Sequence, residues 1–106
     1  MTYLNAAVTR WFGHHFPGFV EIQFRQADET TVVLIEKAPV LDNEDRLTAD
    51  AAYPVPWRLG CDLVHIEPDQ DGRQIATIEL HAGVSDPSGN GVFNVSIDQL
   101  GDIPAT

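Results

Sequence analysis

Apolar positions recur along this chain with two different periods. Near the start, Leu4, Ala7, Val8, Trp11 and His15 fall at i, i+3, i+4, i+7 and i+11, one stripe at helical spacing that Phe12 widens. Thr2 is placed to cap the element with its hydroxyl, and Pro17-Gly18 stops it. The spacing predicts an amphipathic helix over about residues 2–15. His14 and His15 would lie in its last turn, where the helix dipole favours a positive imidazole.

From Phe19 the period changes to two. Val20, Ile22 and Phe24 alternate with Glu21, Gln23 and Arg25, which predicts a half-buried strand over about 19–26. Ala27-Asp28-Glu29-Thr30 turns the chain. The return over 31–37 carries Val32-Val33-Leu34-Ile35, apolar on both faces, as in a strand that is central or covered on both sides. Residues 40–56 follow no period. Seventeen residues are long for a connection, and Asp42 with Asp45 suits the first turn of a short helix there. Pro54 and Pro56 then hold the chain extended.

The stretch from Trp57 to Leu80 has the pattern of a hairpin, two β-rich runs around Pro68-Asp-Gln-Asp-Gly72. The turn has Gly72 at positive φ. Strands over about 57–67 and 73–82 would pair Glu67 with Arg73, His65 with Ile75, Leu63 with Thr77, Cys61 with Glu79 and Leu59 with His81. One face then carries Val64, Ile66, Ala76, Ile78 and Leu80 as core. The other carries Cys61, His65, Thr77, Glu79 and His81. After a turn-rich loop over 83–91, residues 92–98 alternate again as a last strand, with Phe93, Val95 and Ile97 inward. The tail from Gln99 to Thr106 is expected to fray. The elements add up to one α+β domain, α-β-β-loop-β-β-β: an N-terminal amphipathic helix packed on a mainly antiparallel sheet of about five strands.

Charge narrows the partners. Sixteen acidic residues against six basic ones give a formal charge of −10, which disfavours nucleic-acid phosphates and anionic membranes and favours a basic protein partner. The charge is uneven. Residues 1–37 hold four acids and three bases, net −1, and residues 38–106 hold twelve acids and three bases, net −9. A single cysteine forms no internal disulfide and no zinc spacing. No basic leader and no run of about 20 apolar residues occurs, so a cytoplasmic setting is expected.

Three stretches hold residue types that could carry chemistry. Cys61, His65, Glu79 and His81 are the stock of a thiol hydrolase or an acid/base site, but a mid-strand cysteine lacks the helix terminus or cation that activates a nucleophile. Asp86-Pro-Ser-Gly-Asn-Gly91 resembles the start of a calcium loop, yet Ile97 stands where the bidentate glutamate belongs, and an Asx-type turn explains it better. The acidic connection holds Asp42, Glu44, Asp45 and Asp50 with Tyr53 and Trp57 behind them, as acids that steer and aromatics that anchor. No cofactor or metal site is expected. The expected function is a non-catalytic acidic protein-binding module, most concretely an inhibitor or a bacterial immunity-type protein that neutralises a basic partner. One alternative is a small enzyme or ligand-binding domain using Cys61, His65, Glu79 and His81. A second is a structural subunit of a homo-oligomer, paired through Thr31–Ile35 if that strand lies at an edge.

Overall fold

The computed structural model describes residues 2–13, 18–42 and 46–102. The strands are β1 Tyr3–Phe12, β2 Phe19–Arg25, β3 Thr31–Lys37, β4 Val55–Pro68, β5 Gln74–Leu80, β6 Val92–Ser96 and β7 Leu100–Gly101; the one α-helix, α1, is the four-residue Ala38–Leu41. Strand accounts for 55% and helix for 11%, so the fold is a curled half-barrel of seven antiparallel strands and not the expected α+β arrangement of a helix on five strands. No helix of the described residues is long and apolar enough to cross a membrane.

The expected helix over 2–15 is strand β1 as far as Phe12, and His14 and His15 lie outside the described residues. The register explains the misleading spacing. β1 pairs with β2 through Ala7↔Gln23 and Val8↔Ile22, then skips to Arg10↔Glu21 and Trp11↔Val20. Thr9 is therefore the extra residue of a β-bulge, which lengthens one side-chain step from two residues to three. Leu4 and Val8 are fully buried and Trp11 packs against the same core. Inward positions at i, i+4 and i+7 thus arise from a bulged strand as readily as from a helix. The bulge is fastened by Glu21, whose Oε1 accepts a bond from the Thr9 hydroxyl at 2.7 Å and whose Oε2 lies 3.2 Å from Arg10 Nη2. β1 is also a central strand, with β2 on one edge and β4 on the other. Its Tyr, Val, Thr, Trp and Phe residues suit that place.

The sheet order is β3-β2-β1-β4-β5-β6. Its spine is β4, whose fourteen residues at about 3.3 Å each would span roughly 46 Å, the longest dimension of the molecule at 46 Å. Its first half, Val55 to Gly60, pairs with β1, and its second half, Cys61 to Pro68, pairs with β5. β4 thus joins the two halves of one continuous curled sheet. After β6, Ile97–Gln99 form a 3-10 turn with a Ser96/Gln99 capping box, where a longer strand to residue 98 was expected. β7 then pairs with the start of β1 through Leu4↔Leu100 and Tyr3↔Gly101. At the other end the Ala27 N–H donates to the Asn94 carbonyl at 2.9 Å, and Phe24 meets Phe93 edge to face at 5.2 Å. Between the layers lie Leu4, Val8, Val20, Ile22 and Leu34 from one side and Cys61, Ala76, Ile78 and Val95 from the other.

Two further expectations change. β3 is not central or covered on both faces: it is the outermost strand of the order, and Val33 and Ile35 are 37% and 47% exposed. The hairpin register is also shifted. Leu63 pairs with Ile78 and His65 with Thr77, with an irregularity between them at Val64. Gly72 has the expected positive φ, 83°, but the turn closes on Asp69 and Arg73 rather than on Glu67 and Arg73, and Asp69 Oδ1 accepts the N–H groups of Asp71 and Arg73. A one-residue slip exchanges faces. Trp57, Leu59 and Cys61 thus join Ala76, Ile78 and Leu80 in the core, while Val64 is 60% exposed.

Candidate functional site

The slip that puts Cys61 in the core puts another set of residues outside. On β5, Ile75, Thr77 and Glu79 alternate with the buried Ala76, Ile78 and Leu80. The ladders align three cross-strand rows: Asp62–Glu79–Val92, His65–Thr77–Asn94 and Glu67–Ile75–Ser96. These three rows carry three carboxylates and neither lysine nor arginine, although Arg58 precedes Asp62 on the same side of β4 and Arg73 stands at the turn, paired with Asp69. Val92, on the same face, is exposed, as is the bulged Val64 at its margin. An antiparallel sheet with one wet face commonly bears polar residues there, but two carboxylates directly opposite each other are an unfavourable cross-strand pair.

His81 lies against one of the two carboxylates. β5 ends at Leu80, short of the expected residue 82, and His81–Gly83 form a 3-10 turn with Ala82 at φ 59°. The turn sets His81 Nε2 2.9 Å from Asp62 Oδ1. An open cleft of about 500 Å³ begins there, lined by Asp62, Glu79 and His81 on one wall and by Val84, Ser85 and Gly91 on another. The far loop is held rigidly. Asp86 Oδ1 accepts the N–H groups of Ser88 and Asn90, both at 2.9 Å, in the Asx-type turn expected there. His65 belongs to a separate pair, 3.4 Å from Glu67 Oε2.

The sequence candidates are therefore divided. Cys61 is 1% exposed and faces the core, and burial, with Asp62 next in effect, pushes its thiol pKa up. It is not brought together with His65, Glu79 or His81, which lie outside the core. Glu79 and His81 both line the cleft, with Asp62 hydrogen-bonded to His81 and opposite Glu79 on the ladder. Asp62, Glu67, Val64 and Val92 are not among the sequence candidates for a site: Val64 was expected in the core and Glu67 opposite Arg73. The turn alone does not signal them: a closing pair of Asp69 with Arg73 shifts the ladder by two residues and keeps the same faces together, and only the irregularity at Val64 supplies the odd step. Among the described residues no three His, Cys, Asp or Glu side chains are grouped to hold a metal ion.

In the acidic connection Asp42 and Leu47 are buried, and most of the other described residues are exposed. Asp42 ends α1 rather than starting a helix, is 7% exposed, and accepts the Leu47 N–H at 2.6 Å. Arg46 lies 3.8 Å from Asp42 and stacks over the ring of buried Trp57 at 4.6 Å. Tyr53 donates to the Thr48 carbonyl at 2.6 Å, and burial, with Asp42 adding to it, raises its pKa. Asp50 is exposed, and Glu44 and Asp45 lie outside the described residues. Trp57 is thus committed to the core, and Tyr53 to the loop it bonds at Thr48.

Comparison with protein families, characterised proteins and solved structures finds no match to this chain.

Proposed function

We propose that this protein is a non-catalytic binding module for a basic protein surface, and that it binds through the outer face of β4, β5 and β6. The observation that carries this reading is the row Asp62–Glu79–Val92 beside the cleft. Two carboxylates held side by side at the mouth of an open cavity can receive a lysine or arginine side chain, which relieves their mutual repulsion. Val64 and Val92 supply exposed apolar contact nearby, and Glu67 extends the negative field that speeds encounter with a cation. A cytoplasmic setting belongs to the same proposal, since the one cysteine is a buried thiol. The narrower reading as an inhibitor or bacterial immunity-type protein has no support in the fold or in the comparisons, and the proposal stops at a binding module.

The test is affinity capture from the native host with the wild-type chain and with two variants. One carries Asp62→Lys, Glu67→Lys and Glu79→Lys together; the other carries Asp50→Lys. A basic protein captured by wild type and by the Asp50 variant, but lost with the triple variant, is the expected result. Capture that survives the triple variant places the partner elsewhere and overturns the assignment. For a captured partner, the association rate should fall as salt is raised.

A further inference from the structure

We infer that the free edge of β3 is the dimer interface of this protein, and that its occupant is β3 of a second copy in antiparallel register. The inference uses a different surface from the proposed docking face and stands independently of it.

The direction of the backbone groups follows from the β2–β3 turn. Gln26 donates to the Thr30 carbonyl at 2.8 Å, Glu29 donates to the Gln26 carbonyl, and Glu29 takes φ 71°. Gln26 and Thr30 are thus a hydrogen-bonded pair, and an antiparallel ladder alternates from there. Val32, Leu34 and Glu36 bond to β2, while Thr31, Val33, Ile35 and Lys37 aim their N–H and C=O groups at the open edge. The Lys37 N–H agrees with this, being taken by the Glu36 side chain at 3.1 Å. Among the described residues no strand pairs that edge.

Edge strands are usually blunted by prolines, bulges or central charges. β3 has none of these. Its pairing with β2 is continuous from Thr31 to Lys37, and its charges sit only at the last two positions. The other end of the sheet order is guarded, because Ala27 donates to Asn94 of β6. Among the described residues the second half of β4 also has one partner strand, but it is bulged at Val64 and ends on Pro68, whereas β3 is a seven-residue edge with two exposed branched side chains and neither device.

Charge selects a second copy as the occupant. Residues 1–37 are net −1, against −9 for the rest of the chain, so two copies can meet here without bringing their acidic parts together. The strand is also complementary to itself. In a two-fold pairing centred on Leu34, Val33 faces Ile35 of the second copy and Ile35 faces its Val33, both as hydrogen-bonded pairs. Lys37 then faces Thr31 of the second copy, next to its turn residues Asp28 and Glu29. The same contact occurs twice, as a closed two-fold interface requires.

Sedimentation velocity over a wide range of chain concentration tests the inference. The expected result is a monomer–dimer equilibrium for wild type, and a monomer at every concentration for Val33→Lys and Ile35→Lys. Both positions are exposed, so circular dichroism of the variants should match wild type. A wild-type chain that stays monomeric at the highest concentration, or a dimer that survives Ile35→Lys, overturns the inference. Cysteine pairing tests the register separately. Facing residues of a hydrogen-bonded pair have Cα atoms about 5.5 Å apart, within disulfide reach. Mixed Val33→Cys and Ile35→Cys chains should cross-link well, and either variant alone poorly. Equal cross-linking of Val33→Cys with itself overturns the pairing centred on Leu34.

Discussion

Asp62 and Glu79 face each other across the β4–β5 ladder, two carboxylates in a position where like charges cost stability. Only Asp62 has His81 against it, at 2.9 Å. Glu79→Gln should therefore stabilise the fold by about 0.2–1 kcal/mol, the range for one cross-strand pair. Thermal melts in low salt should show the midpoint rise, and high salt should shrink the difference. A lower midpoint in the variant would show that Glu79 has a stabilising partner and that the row is not strained. Loss of stability would also weaken the case for a cation docking between the two groups.

Cys61 should be chemically silent in the native protein. It is buried, and both its burial and the neighbouring Asp62 disfavour the thiolate that reacts. An aromatic disulfide reagent should label it only after denaturation. Rapid labelling of the folded chain would revive the thiol reading of this hairpin. Cys61→Ser should cost about 1–3 kcal/mol, because a hydroxyl would replace a small apolar group in the core.

Gly18 is required for a steric reason as well as a conformational one. Its φ is +78°, and a Cβ there would overlap the indole ring of Trp11. Gly18→Ala should cost ~2 kcal/mol or more in chemical denaturation. Gly72 has a similar φ of +83° with nothing near its missing Cβ, so Gly72→Ala should cost only about 1 kcal/mol. Equal losses would mean that the indole can move aside.

Acid should loosen the β1 bulge. Glu21 has its pKa lowered by the Thr9 hydroxyl first and by Gln23 next, with Arg10 contributing less; partial burial opposes them. A group whose folded pKa is depressed stabilises the fold above its ordinary value of 4.5, and that contribution is lost as pH falls through the lower folded value. Glu21→Gln should be less stable than wild type at neutral pH, and the gap should close as pH falls below 4.5. A gap that is independent of pH would assign the loss to packing rather than to the ionised carboxylate.

The β2 and β3 strands, the turns at Gly72 and Asp86, and the acidity of the later part of the chain were legible in the sequence. Each depends on neighbours a few residues apart: alternation, an Asx bond to the next N–H groups, or a count of charges. The first strand was not legible for a specific reason. Thr9 adds one residue to a period of two, and Leu4, Val8 and Trp11 then imitate a helix. Only the presence of β2 and β4 on its two edges decides between the two structures, since an isolated segment has no ladder to complete.

The candidate site divides in the same way. The sequence supplied Glu79 and His81, but a shift of one residue in the register decided that Asp62 joins them and that Cys61 and Trp57 go to the core. Register is a property of the pair of strands, so neither run fixes it alone. The chain by itself determined a small acidic domain with strands in its second half and a hairpin at its centre. Tertiary structure decided which face is wet, which strand is left at the edge, and that Asp42 is buried against the Leu47 N–H while Asp50 is exposed. Those choices depend on burying one face of each strand against residues remote in sequence, where the apolar contact that stabilises the fold is made.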